Sequence, residues 1–131
     1  MEKQPFCVLV VEDDRDVAFG ASLRLRAAGY QTLLAHDGHE GVRLAREARP
    51  TAIVLDVRMP RMNGLVALNK LQHDDRTKNI PIVMLSASVV DQQAALDAGA
   101  RYFLTKPYQH TTLLTALERA ISENPHDQAG H

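Results

Sequence analysis

The chain alternates five times between a short apolar run and a segment of helical periodicity, and that rhythm leaves few folds open. The apolar runs cover residues 6–11, 52–55, 80–85 and 101–104, with a weaker one at 31–35. Uninterrupted runs of Val, Ile and Leu at this length suit strands buried on both faces, as in a parallel sheet. Between them, Val17, Ala21, Leu25 and Ala28, joined by Leu23, form an apolar helical stripe that stops at Gly29. A second helix is expected over 38–48, with Val42, Leu44, Ala45 and Ala48 apolar, ending before Pro50. Shorter helices are expected over 65–71 and 91–98. The last, over 111–121, places Leu113, Leu114, Leu117 and Ile121 on one side. Such alternation implies right-handed βαβ crossovers and a parallel sheet with helices on both faces.

Composition then removes whole classes of function. The 131 residues suffice for one domain and not for two of ordinary size. Fifteen basic side chains against sixteen acidic ones give a net charge of −1. That balance argues against direct nucleic-acid binding through a broadly basic surface and against adhesion to an anionic membrane. The single cysteine, Cys7, precludes an internal disulfide framework and is read as an inert residue of a buried strand. No secretory signal and no membrane-spanning run is visible, so a cytoplasmic location is expected. No Gly-rich phosphate loop appears and no Asp-x-Asp follows the third strand, which disfavours nucleoside-triphosphatase and Asp-based phosphatase chemistry.

In open parallel sheets, ligands bind beyond the carboxyl ends of the strands. That edge collects Glu12, Asp13 and Asp14 after the first strand, Asp56 after the third, Ser86 after the fourth and Lys106 after the fifth. If the first and third strands are neighbours, their carboxylates converge, and crowded like charges raise one another's pKa. A hard cation resolves the conflict, and an all-oxygen set with room for water favours Mg2+. Asp14 reads more simply as a helix cap. Ser86 and Lys106, a donor and a point charge beside the acids, suit the oxygens of a phosphoryl group. His36 and His39 lack further ligands at metal-binding spacing.

These residues resemble the receiver domain of two-component response regulators. The resemblance runs from about Phe6 to Ile121 and rests on an ordered set of motifs. They are Val8-Leu-Val-Val-Glu-Asp-Asp14, Ile53-Val-Leu-Asp-Val-Arg-Met-Pro60 with Met62-Asn-Gly64, Val83-Met-Leu-Ser-Ala87, and Ala98-Gly-Ala100 followed by Phe103-Leu-Thr-Lys-Pro107. It implies a flavodoxin-like, doubly wound (βα)5 domain with a five-stranded parallel sheet in the order 2-1-3-4-5. Residues 6–122 would be the receiver, 1–5 an N-terminal extension and 123–131 a flexible tail.

The resemblance further implies that Asp56 accepts a phosphoryl group from a sensor histidine kinase or histidine phosphotransfer protein. Asp13, Asp56 and the backbone carbonyl of Arg58 would ligate Mg2+, with Glu12 acting through water. Ser86 and Lys106 would contact the phosphoryl oxygens, the Lys106–Pro107 peptide would be cis, and Ser86 with Phe103 would form the switch. Such a domain is a signalling switch rather than a turnover enzyme. A phosphate sink and a phosphorylation-independent interaction module are the alternatives. Arg15, Asp16 and Phe19 are kinase-contact candidates by family geometry, and the face of the fourth and fifth helices is the expected output surface. No DNA-binding module fits after Ile121, so the chain resembles a single-domain regulator, or equally a receiver cut from a larger protein.

One departure from the family pattern stands out. Between Ser86 and Lys106 the chain is about two residues shorter than in many receivers. Either the loop at residues 88–91 or the fourth helix is expected to be shortened.

Overall fold

The computed structural model describes residues 6–124. Its elements are β1 (Cys7–Val11), α1 (Arg15–Ala27), β2 (Gln31–Ala35), α2 (Gly38–Ala48), β3 (Ala52–Asp56), α3 (Gly64–Gln72), β4 (Ile82–Ser86), α4 (Gln92–Asp97), β5 (Tyr102–Thr105) and α5 (His110–Ser122), with a 3-10 turn at Val89–Asp91 before α4. All strand pairs are parallel and the sheet order is β2-β1-β3-β4-β5. This is the expected doubly wound arrangement.

The period-two alternation of each strand divides the core in two. Leu9, Val11, Ile53, Leu55, Ile82 and Met84 face α2, α3 and α4. Val8, Val10, Val54, Val83 and Leu85 face the other side, where Leu25 of α1 and Leu113, Leu117 and Ile121 of α5 cover them. Leu9, Leu25 and Leu117 are wholly buried. Burial of each such leucine stabilises the fold by about 1.5–3 kcal/mol relative to exposure.

Several boundaries and faces differ from expectation. Phe6 is exposed and lies before β1. Proline has no N–H for a ladder, and β4 begins after Pro81, at Ile82. In α1, Val17 and Leu23 face solvent, and the buried row is Ala18, Ser22 and Leu25. The serine is tolerated because its hydroxyl shares a 2.6 Å hydrogen bond with Thr32 Oγ1 of β2. Cys7 is only partly buried, because it is the first residue of β1 and sits at the open end of the sheet. Burial still pushes its thiol up, which keeps the thiolate scarce.

The expected tail from residue 123 is anchored at its start. Tyr102 Oη donates to Glu123 Oε1 at 2.7 Å, and the buried Asn124 donates through Nδ2 to the Asn79 carbonyl at 3.0 Å. Residues 1–5 and 125–131 lie outside the described residues. The segment beyond Ser86 where a shortening was expected consists of a single 3-10 turn and a six-residue α4.

Gly64 fixes how α3 meets the sheet. Its N–H donates to the Val57 carbonyl at 2.7 Å, and Asn63 caps α3 through Oδ1 to the N–H groups of Leu65 and Val66. A Cβ at position 64 would collide with the Asp56 carbonyl oxygen and come within 2.8 Å of Val57 Cα. Both are backbone atoms with no room to yield. Gly64→Ala is therefore expected to lower stability by about 1–3 kcal/mol in urea unfolding, as overpacking does.

Candidate functional site

Register places the acids side by side. Val11 is level with Leu55, so Glu12 and Asp56 each stand one step beyond a matched pair. The Val57 N–H donates to the Leu85 carbonyl at 2.9 Å, and the Lys106 N–H donates to the Ser86 carbonyl at 2.7 Å. These bonds carry the ladder past the strand ends and bring Asp56, Ser86 and Lys106 to the same edge. The Lys106–Pro107 peptide is cis.

Carboxylate oxygens of Glu12, Asp13 and Asp56 all lie within 4.8 Å of one another. Glu12 and Asp56 are 6% and 4% exposed, while Asp13 is open to solvent. Lys106 compensates the two buried acids. Its Nζ donates to Glu12 Oε1 and to Asp56 Oδ2, each at 3.0 Å. The other Glu12 oxygen accepts from the Asp14 N–H at 3.3 Å. Desolvation pulls the Lys106 ammonium down, but its hydrogen bonds to Glu12 and Asp56 outweigh that, and its pKa is raised. Asp13 accepts no hydrogen bond from the ammonium, whose charge relieves it only from a distance. Burial of its surroundings, then the neighbouring Glu12 carboxylate, push it above the usual carboxylate value.

An all-oxygen set with one solvent-facing member suits a small hard cation that keeps part of its water shell. Asp14, by contrast, is spent on α1, where Oδ1 accepts from the N–H groups of Asp16 and Val17. His36 and His39 are not part of the acidic cluster. His36 Nδ1 lies 3.1 Å from the Glu12 carbonyl oxygen.

Ser86 is fully buried, and its hydroxyl is already engaged. Oγ donates to Asp91 Oδ2 at 2.6 Å and accepts from the Ser88 N–H at 3.1 Å. Asp91 is also gripped by Arg58, whose Nε and a terminal guanidinium nitrogen reach its two oxygens at 3.1 Å each. The Ser86 hydroxyl first, and then Arg58, hold the Asp91 carboxyl below the usual range. Sequence reasoning placed Arg58 and Ser86 at the site and missed Asp91. An acid at the head of a helical segment looks like a cap, and nothing in its spacing distinguishes it from one. Phe103, opposite Met84, is half-buried and packs against the core face of α3 and α4.

Residues 8–118 match the response regulator receiver domain family. The chain belongs to that family. Response regulator MprA of Mycolicibacterium vanbaalenii is 40% identical over 129 residues, which is 96% of this chain and 55% of that protein. Transcriptional regulatory protein PrrA of Mycobacterium tuberculosis is 44% identical over 116 residues, 87% of this chain and 49% of that protein. The chain thus spans about half the length of the curated relatives it matches. The DNA-binding dual master transcriptional regulator RpaA of Synechocystis is 35% identical over 116 residues, 87% of this chain and 48% of that protein, so the relatives give no support to the expected absence of nucleic-acid contact.

Among solved structures, chemotaxis protein CheY4 of Vibrio cholerae superposes with a TM-score of 0.83 at 34% identity, covering 89% of this chain and 99% of that one. The receiver domain of sensor histidine kinase PA1611 from Pseudomonas aeruginosa gives a TM-score of 0.83 at 30% identity, over 91% and 99%. That structure is described with a magnesium ion coordinated in its active-site cleft. The receiver fold is a signalling switch. Among the described residues, no helix is long and apolar enough to cross a membrane.

The raised Lys106 pKa has a testable sign. Its ion pairs stabilise the fold fully below the ordinary lysine value, and that contribution is lost as pH rises through the raised folded value. Without divalent cations, Lys106→Met is expected to cost about 1–3 kcal/mol at pH 7, because two buried acceptors lose their donor. Urea unfolding of both proteins should show the gap narrowing above roughly pH 10.5.

Proposed function

We propose that this domain accepts a phosphoryl group on Asp56 from a phosphohistidine of a sensor kinase or phosphotransfer protein, and that this charges a signalling switch. The observation that carries the reading is the Lys106 ammonium within 3.0 Å of both Glu12 and Asp56, beside a third carboxylate. In the transfer, the P–N bond to the donor imidazole breaks and a P–O bond to an Asp56 carboxylate oxygen forms. The imidazole keeps the electron pair of the broken bond. Such transfers pass through a loose transition state, so positioning and charge do most of the work.

Asp56 is held in place by Lys106 and by the ladder bond just beyond it, so the nucleophile is oriented before the donor arrives. Lys106 supplies a cation for the charge that gathers on the transferring oxygens. Asp13, Asp56 and the Arg58 carbonyl would hold Mg2+, with Glu12 acting through water. The cation would neutralise the crowded carboxylates and the incoming phosphoryl charge. Ser86 would supply a hydroxyl hydrogen to a phosphoryl oxygen, and Phe103 would repack as it moves.

Residues 6–122 form the functional unit in this reading, which places it in the cytoplasm with its kinase. It turns over no substrate beyond its own slow loss of phosphate. Arg15, Asp16 and Phe19, all exposed on α1, are the side chains through which the donor would dock, and the face of α4 and α5 is the output surface.

Incubation with a small phosphodonor and Mg2+ is expected to add one base-labile phosphoryl group to the wild type, read by intact mass, and none to Asp56→Asn. A wild type that stays unmodified overturns the reading. The cation has its own readout. At about ten times its Kd, Mg2+ should stabilise the wild type by about 1.4 kcal/mol. In thermal melts that gain should largely vanish in Asp13→Asn.

A further inference from the structure

The residues that precede the helices show how an Asp or Asn is used there in this fold. Asp14 caps α1, Asp37 caps α2 and Asn63 caps α3, each with its side chain accepting from helix N–H groups. Asp91 stands at the same place before α4 and makes no capping bond. Its carboxylate is turned back to the site, where it takes the Ser86 hydroxyl at 2.6 Å and the bidentate Arg58 guanidinium. The single 3-10 turn at Val89–Asp91 makes this reach possible, because it closes the loop within five residues of Ser86.

A serine hydroxyl has one hydrogen. While that hydrogen is given to Asp91, it cannot be given to a phosphoryl oxygen. We propose that Asp91, braced by Arg58, is a latch that holds Ser86 in the resting state, and that a phosphoryl group on Asp56 must take the hydroxyl from it. The proposal rests on Asp56 being the phosphoacceptor. Asp91 is then a positioning residue. It touches neither the acceptor nor the phosphoryl group, but it sets how much of the free energy of phosphorylation is spent on releasing Ser86. Release of Asp91 also frees Arg58 and the turn carrying Val89 and Val90, which are 64% and 79% exposed. The change at the site thus reaches a surface of the domain.

The test is the affinity for beryllofluoride, a phosphoryl mimic, in the presence of Mg2+. It is measured by fluorine NMR titration on the wild type, Asp91→Ala, Ser86→Ala and the double variant. Asp91→Ala is expected to bind about tenfold more tightly than the wild type, the size of one charge-assisted hydrogen bond no longer broken. In the Ser86→Ala background the same substitution should change the affinity by less than about twofold, since there is no hydroxyl to release. A merely structural role for Asp91 would act equally in both backgrounds. Asp91→Asn, which keeps the shape and weakens the acceptor, should give a gain of about threefold and serves if Asp91→Ala fails to fold. A wild type that binds, with Asp91 variants no tighter or with a gain that persists without Ser86, overturns the latch and leaves the phosphoacceptor reading standing. A wild type that takes up neither beryllofluoride nor phosphoryl group overturns both.

Discussion

The Lys106 ammonium between Glu12 and Asp56 is the contact on which the rest of this molecule is organised. Two buried carboxylates at one sheet edge repel, and each is costly to bury without a partner. A single cation from the far end of the sequence offsets both. It can do so only if β1 and β3 are adjacent and β5 follows β4 on the same side, which is the observed strand order. The fold therefore brings the acids together and also supplies what lets them stay. Asp13, outside the ammonium's direct grip, faces solvent with its pKa raised, and the ammonium offsets only part of that rise.

Much of this was legible because burial on both faces writes itself into composition. Strands β1, β3 and β4 have no solvent side, so they appear as unbroken Val, Ile and Leu, and the acids ending them are conspicuous. Glu12, Asp13, Asp56, Ser86 and Lys106 all lie at the predicted edge. The same logic misjudged α1. The buried row there includes Ser22, and its burial depends on Thr32, a partner that hydrophobic periodicity cannot show. Asn124 is a similar case. Its place is set by the carbonyl of Asn79, far away in the chain, and by sequence it reads as part of a polar tail.

The count of residues beyond Ser86 was visible in the sequence, but the use of Asp91 was not. In three dimensions Asp91 makes no capping bond and instead accepts from the buried Ser86 hydroxyl and from the Arg58 guanidinium. The side chain of a residue singled out for its carbonyl thus acquires a contact of its own.

Gly64 has a mechanical consequence. With no Cβ between them, the head of α3 lies directly on the backbone at the end of β3. On the β4 side of Asp56, the strand leads into one 3-10 turn and a six-residue helix, tied to the site through the Ser88 N–H, the Ser86 hydroxyl, Asp91 and Arg58. The surroundings of Asp56 are thus backbone against backbone on the α3 side and joined by side-chain hydrogen bonds on the α4 side.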